Sequence, residues 1–221
     1  MVEKSGGNKI IKTLIIIAAV AAVLIGGWFF VSTVLLKNNG NGDALPKGKI
    51  TGKLVTTAAG VVYQNTEFNY AFTLPLRNTG WVIDIENLPA TDTGSGEYVT
   101  ILKSKDFVPN EKDGVITGVK NGVQMVVLIT DPAPVELRTL LELQKYWKLG
   151  RGEHFAKSEV VKELTGKKFI IHTLGDFTDC KLMDAHTITG NAIYDISFVS
   201  AEIAGAELQF EEILRSLKFG K

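Results

Sequence analysis

The densest group of side chains able to bind a metal ion lies in the segment GDFTDCKLMDAH, which spans residues 175–186. Its four candidate ligands are Asp176, Asp179, Asp184 and His186. Hard cations prefer several carboxylate oxygens and transition metals bind imidazole, so this set could hold either kind of ion. The spacing matches no known metal-binding loop. We therefore expect a solvated acidic loop here, with a metal site as the alternative.

A second chemical candidate is Cys180, the only cysteine of the chain. It could act as a nucleophile if His172 or His186, together with an orienting acid, lay beside it. The simpler expectation is a small, partly buried side chain. The sequence contains no HExxH, CxxC, P-loop, GxSxG or Rossmann glycine pattern. We therefore expect no enzyme, no catalytic residues and no cofactor.

The composition excludes several classes of protein. The chain has 221 residues, 45% of them hydrophobic, and a formal net charge of +0, which rules out a disordered chain and a globally basic nucleic-acid binder. The charge is unevenly distributed. Residues 1–49 contain 6 basic and 2 acidic residues, a net charge of +4, whereas residues 50–221 contain 18 basic and 22 acidic residues, a net charge of −4. The two regions are therefore suited to different surroundings.

The basic region contains a predicted transmembrane helix. Residues 13–36 form a run of 24 residues without a charge, and a helix of that length spans about 36 Å, enough to cross a bilayer. Lys4, Lys9 and Lys12 precede the run, which favours a cytoplasmic N-terminus at residues 1–12. The sequence therefore predicts a single-pass protein of the cell membrane whose C-terminal domain is extracytoplasmic.

The apolar run is more typical of an uncleaved signal anchor than of a signal peptide. Its one A-x-A pattern, at residues 19–21, is followed by further strongly apolar residues. Ala18, Ala22 and Gly26 are spaced by four, and such a row of small residues could let two membrane helices approach closely. The expected partners of this region are therefore the lipid bilayer and, through the row of small residues, a second copy of the chain.

The remaining residues divide into a flexible linker at 37–49, rich in Asn and Gly, and a folded domain at 50–221. Alternating apolar residues and turn signals predict strands, and helical spacing predicts two helices. Asn121-Gly122 predicts a hairpin turn between two of the strands. The predicted strands cover residues 50–57, 61–63, 68–74, 81–86, 98–103, 115–119, 123–130, 168–174 and 192–199; the predicted helices follow Asp131 and cover residues 206–217.

Three segments carry a family resemblance: YQNTEFNYAFTLPLRNTGWVI at residues 63–83, NAIYDISFVS at 191–200 and FEEILRSLKF at 210–219. Together they resemble the PsbP/Mog1-like family over about residues 61–219. The order of elements predicts an α+β fold with a largely antiparallel sheet. The resemblance implies more, namely an α-β-α sandwich with helices flanking that sheet and a binding or assembly role without catalysis. It supplies no catalytic residues.

The sequence thus predicts a membrane-anchored, extracytoplasmic binding or assembly module with a protein partner in the cell envelope. Nucleic acid is not an expected partner, because the domain is acidic and lacks aromatic residues interleaved with its basic ones. Two alternatives stay open. The domain could be a surface sensor for a small molecule or a metal ion, or it could be a hydrolase without a recognisable motif.

Overall fold

The computed structural model describes residues 50–77, 80–89, 96–112, 115–151, 156–174 and 180–220. The predicted membrane segment, the linker and the row Ala18, Ala22 and Gly26 lie outside these residues, as do Asp176 and Asp179. Among the helices of the described residues, none has both the length and the apolar character needed to cross a bilayer. The topology inferred for residues 1–49 therefore stays a prediction from the sequence.

Strands dominate the described part of the chain. They are β1 (Lys53–Thr57), β2 (Gly60–Asn65), β3 (Tyr70–Leu74), β4 (Trp81–Pro89), β5 (Glu97–Ser104), β6 (Val108–Lys112), β7 (Val115–Asn121), β8 (Val123–Thr130), β9 (Ala156–Leu164), β10 (Lys167–Leu174), β11 (Lys181–Thr189), β12 (Ala192–Ser200) and β13 (Lys218–Phe219). All their pairings are antiparallel. They form a seven-stranded sheet in the order β4-β5-β8-β12-β11-β10-β9, a four-stranded sheet β1-β2-β3-β13, and the hairpin β6-β7.

Two α-helices accompany the strands in the described residues: α1 (Leu140–Arg151), which follows a short 3-10 helix at Val135–Leu137, and α2 (Ala206–Ser216). A capping box starts α1, because the backbone N–H of Thr139 donates to Glu142 while the Thr139 hydroxyl accepts from the N–H of Glu142. In α2, Phe210, Ile213 and Leu214 fall on one buried face. That apolar face holds α2 against the core.

The main core lies on the inner face of the seven-stranded sheet, which the four-stranded sheet and α2 cover. Strand β8 shows why it folds there, because Met125, Val127 and Ile129 alternate with less buried residues and point to this face. Phe198 of β12 stacks on Phe210 of α2 with ring centroids 5.4 Å apart. These aromatic and aliphatic side chains join the three elements into one core.

The α-β-α sandwich predicted from the family resemblance is wrong. Antiparallel β-sheets make up most of the described chain, and a second sheet, rather than a helical layer, covers much of the inner face of the larger one. The sequence pattern failed to predict strands that contain charged residues. β9 was not predicted and part of β11 was expected as a solvated acidic loop, because residues such as Glu159 and Asp184 interrupt the apolar pattern of these strands. The α+β class assigned from the sequence is replaced by a mainly β architecture.

The hairpin predicted at Asn121-Gly122 is also wrong. β7 pairs with β6, whereas β8 pairs with β5 and β12, so the chain changes sheets at Gly122. Gly122 has a φ of 80°, and a Cβ there would lie 2.6 Å from the Ser104 hydroxyl and 2.7 Å from the Phe107 Cα. Glycine is required at this position by both the backbone conformation and the close approach of neighbouring atoms.

A buried carboxylate fastens the beginning of the domain to the larger sheet. Glu86 of β4 is 1% exposed and accepts hydrogen bonds from the N–H groups of Thr51 (2.5 Å) and Gly52 (2.8 Å) and from the Tyr63 hydroxyl (2.6 Å). A Cβ on Gly52 would lie 1.9 Å from the Glu86 Oε1. The segment that leads out of the predicted linker is therefore held in one place by a single side chain.

Candidate functional site

The outer face of the seven-stranded sheet, opposite the four-stranded sheet, carries the chemically interesting residues. The register places His186 opposite both Ile170 and Asp195, and His172 opposite Glu159 and Asp184. Because residues opposite each other in an antiparallel sheet share a face, these side chains lie together. Helix α1 covers one end of this face and the β6-β7 hairpin covers the other.

Trp147 of α1 is the centre of the helix's contact with the sheet. It is 2% exposed and lies in an apolar cluster with Leu143, Ile170 and Ile193. Its indole stacks on the ring of His186 with centroids 4.1 Å apart and an interplanar angle of 30°. The indole of Trp147 therefore lies between this apolar cluster and a histidine ring.

The side chains of His186 and Asp195 make a close polar contact. The Nδ1 of His186 lies 2.5 Å from the Oδ1 of Asp195, and the two side chains are 2% and 13% exposed. A carboxylate in this position favours the tautomer with hydrogen on Nδ1 and orients the ring, as in catalytic triads. The His186 Nε2 is buried and has no hydrogen-bond partner among the described residues. This atom can accept a hydrogen bond.

Cys180, the nucleophile considered from the sequence, does not lie beside this pair. Cys180 is buried with Val119, Leu182 and Val199 beneath the hairpin, at the far end of the outer face. It is six residues from His186 along an extended chain, a separation of about 20 Å. The Cys–His nucleophile considered from the sequence is therefore not assembled with His186.

Glu159 of β9 joins α1 to the sheet through charges. Its carboxylate accepts a hydrogen bond from Gln144 (2.6 Å) and lies 3.3 Å from the Lys148 Nζ and 3.9 Å from the His172 Nδ1. Burial acts to raise the pKa of Glu159, but the hydrogen bonds from Gln144 and Lys148 and the attraction to His172 together hold that pKa below its ordinary value. The carboxylate is thus stabilised in its charged form.

We expect Glu159→Gln to lower the free energy of unfolding most near neutral pH. A carboxylate whose pKa is depressed by folding contributes stability above its unfolded-state pKa, and this contribution is lost as the pH falls through the folded-state value. The difference from the wild type should therefore shrink below pH 4.5, the ordinary value. Urea unfolding across a pH series measures it, with Glu163→Gln on the same strand as the control. A difference that grows on acidification would contradict the assignment.

Tyr146 of α1 lies close enough to Asp195 and Glu97 for their charges to act on it. Burial, together with the carboxylates of Asp195 and Glu97, raises the pKa of Tyr146 to about 12. Its hydroxyl is buried and has no hydrogen-bond partner among the described residues. Two polar atoms on this face, the Tyr146 hydroxyl and the His186 Nε2, are therefore available to a ligand or to water.

Between α1 and the hairpin, the outer face is only half covered. Five half-buried residues mark this part, which we call the central strip: Val99, Val126, Leu128, Asp195 and Ser197. They occupy adjacent positions of three neighbouring strands, since Leu128 pairs with both Val99 and Asp195, and Val126 with Ser197. The central strip is thus a mixed apolar and polar surface that lies between α1 and the hairpin.

The predicted metal ligands are only partly placed by the structure. Asp184 and His186 both lie on β11 and face outward on the sheet, whereas Asp176 and Asp179 are outside the described residues. Within the described residues, no group of three or more His, Cys, Asp or Glu side chains could hold a metal ion. The full four-residue site stays a prediction.

Two residues of the candidate site, Asp195 and Glu159, were not identified from the sequence. Asp195 lies in a strand that was correctly predicted, where it follows Ile193 and precedes Ser197 on one face. Polar residues at alternate positions of an otherwise apolar strand were the available signal. Glu159 lies in a strand that was not predicted at all, so its sequence offered no comparable signal.

Comparisons with known proteins give structural similarities only. No protein-family model and no curated protein sequence matches the chain. Cyanobacterial PsbP (CyanoP) from Synechocystis sp. PCC 6803 is 12% identical and similar over 82% of this chain and 99% of its own, with a TM-score of 0.45. The extracellular domain of PknH from Mycobacterium tuberculosis is 11% identical over 66% of this chain and 81% of its own, with a TM-score of 0.26.

A crystal structure from Bacteroides thetaiotaomicron VPI-5482 is 13% identical over 74% of this chain, with a TM-score of 0.41, and the chain spans about half of it, 49%. A PsbP protein is thus among the structures to which the chain is similar. All three TM-scores are below 0.5, so the similarities transfer no ligand, partner or activity to this chain.

Proposed function

We propose that the protein is a single-pass, membrane-anchored binding module whose extracytoplasmic domain engages a protein partner of the cell envelope through the central strip. The observation that carries this proposal is the incomplete cover of the outer face. Leu128 and Asp195 lie in the middle of a seven-stranded sheet and remain half-buried, although α1 and the hairpin cover the face on both sides. A surface of this composition suits an interface with an apolar centre and polar edges.

The membrane part of the proposal rests on residues 1–49. The 24-residue uncharged run after three lysines supports an anchor with a cytoplasmic N-terminus. Digestion of intact cells with an added protease tests the orientation. The domain should be cleaved in intact cells, and a domain that is protected until the membrane is broken would reverse the proposed topology.

A photo-cross-linking side chain at position 128 of the full-length protein tests the central strip. We expect it to form an adduct with one partner in intact membranes, and we expect Asp195→Arg to abolish that adduct because it places a bulky cation in the strip. The matched control carries the cross-linker at Val55, which is 47% exposed on β1. Equal adducts at both positions, or none at position 128, would refute the proposed surface.

Binding of a small molecule is a second candidate function, favoured by two buried polar atoms that have no hydrogen-bond partner in the described part of the chain, the Tyr146 hydroxyl and the His186 Nε2. Such atoms are costly to bury unless a ligand or water completes their hydrogen bonds. In this case a metabolite panel should raise the melting temperature of the wild type and leave that of Tyr146→Phe unchanged. A panel without effect on the wild type, together with a cross-linked protein partner, would favour the first proposal.

A further inference from the structure

The outer face of the four-stranded sheet carries two lysines and no acidic residue at its described positions. Tyr63 and Phe72 point from β2 and β3 into the core, so the residues that alternate with them point outward. Two rows of directly opposite residues cross this face, which we call the lysine face: Lys53, Gln64, Ala71 and Lys218 in the first row, and Val55, Val62 and Thr73 in the second. All seven are exposed or half-buried. The face is therefore an accessible surface with an apolar middle and positive charge at both edge strands.

The opposite side of the domain has the reverse character, because the outer face of the seven-stranded sheet carries Asp195 and Glu159. Glu67, in the turn between β2 and β3, is directed towards the larger sheet, since its carboxylate accepts a hydrogen bond from the Asn87 amide of β4 at 2.9 Å. Residues 50–221 have a net charge of −4, so a face with lysines alone departs from the average of the domain. The lysine face is thus the side of the sandwich that suits an anionic surface.

The chain enters the domain at the edge of the lysine face. Glu86 holds the N–H groups of Thr51 and Gly52, which directly precede Lys53 on the edge strand β1. A flexible chain of thirteen residues has an r.m.s. length of about 20 Å, so the linker predicted at residues 37–49 keeps this edge close to the bilayer. Because the entry point is fixed to the domain, the anchor brings the face beside it to the membrane.

We propose that the lysine face rests on the surface of an anionic bilayer, with Lys53 and Lys218 against the lipid headgroups. This inference rests on the proposed function, because it requires the membrane anchor. A lysine close to an anionic membrane strengthens association by only about fivefold, and the anchor supplies the high local concentration that makes so weak a contact effective. The central strip, on the other side of the sandwich, then faces away from the membrane towards its partner.

Fluorescence quenching of the full-length protein in nanodiscs of phosphatidylcholine and phosphatidylglycerol tests this contact. A lipid with a nitroxide on its headgroup should quench a dye on Val55→Cys several-fold more than a dye on Val161→Cys. The two valines are matched, because each is 47% exposed, and Val161 lies opposite Ile170 on the outer face of the larger sheet. The native Cys180 is buried, and wild-type protein treated with the dye measures any signal from it.

Charge reversal isolates the electrostatic part of the contact. The double variant Lys53→Glu/Lys218→Glu should make quenching at positions 55 and 161 about equal, because two attractions to the headgroups become repulsions. Lys53→Arg/Lys218→Arg keeps both charges and should preserve the wild-type ratio. Both lysines are exposed, so neither variant removes a core contact. Equal quenching at the two positions before the reversal, or a ratio that the reversal leaves unchanged, would overturn the proposal.

The same experiment separates this inference from the proposed anchor. A chain that does not co-purify with the nanodiscs contradicts the anchor and the lysine face together. A chain that co-purifies and shows equal quenching contradicts the lysine face alone. A cross-linker at position 55 that captures an envelope protein in intact membranes would assign the face to a protein partner, and this result too would contradict the contact with lipid.

Discussion

Replacing Glu86 with alanine is expected to lower the free energy of unfolding by about 3–4 kcal/mol, because the change leaves one buried and two partly buried donors without an acceptor. These donors are the backbone N–H groups of Thr51 and Gly52 and the hydroxyl of Tyr63. Urea unfolding followed by tryptophan fluorescence measures the loss. Amide exchange at Thr51 and Gly52 should accelerate in the same variant, because their hydrogen bonds disappear.

Two variants separate the hydrogen bonds from the charge. Glu86→Gln keeps one acceptor oxygen and the shape of the side chain, so its cost should be about half as large. Asp84→Ala removes a carboxylate from the same strand that is 37% exposed and paired with Lys103 at 2.8 Å. Its effect should stay within about 1 kcal/mol, as for other surface pairs. Equal losses for Glu86→Ala and Asp84→Ala would show that the buried contacts contribute nothing.

Replacing Trp147 with alanine is expected to lower the free energy of unfolding by about 3–5 kcal/mol, because it removes the largest side chain between α1 and the sheet. Without the indole, the ring of His186 loses its stacking partner and becomes accessible to water. Fast amide exchange should therefore appear throughout α1 before global unfolding. Urea unfolding and hydrogen exchange on the same sample measure the two effects.

The matched control is Leu141→Ala, which removes an apolar side chain from the same helix at a position that is 60% exposed. Its cost should be within about 0.5 kcal/mol, as is usual for surface substitutions. Trp147→Phe keeps an aromatic ring and should fall between the two. If exchange in α1 is as slow in Trp147→Ala as in the wild type, the helix is held by something other than this contact.

The parts of the fold that could be predicted are those whose burial is one-sided and apolar. The strand at residues 123–130 and the helix at residues 206–217 match β8 and α2 closely, because their periodicity is uninterrupted. β9 and β11 were missed because charged residues interrupt their apolar pattern. A strand of this kind is stabilised by its neighbours in the sheet, and local pattern does not report them.

The candidate site could not be predicted from spacing, because it depends on strand register. His186 meets Asp195 only because β11 and β12 pair with these two residues opposite each other, nine positions apart in sequence. His186 itself was identified from its residue type, but as a metal ligand in a loop. The structure places it in a strand beneath Trp147. The residue type was enough to identify His186 as a candidate, whereas the strand register determined that its partner is Asp195.

The four-stranded sheet takes strands from distant parts of the chain, since β13 pairs with β3 about 150 residues earlier. The N–H of Gly220 donates to the Asn69 carbonyl at 2.6 Å, and the ring of Phe219 contacts that of Tyr194 at 4.6 Å. During synthesis, one edge of β3 therefore has no partner strand until residue 220 has left the ribosome. A nascent chain that stalls before this point exposes an aromatic strand, and a chaperone that recognises such segments would have its binding site there.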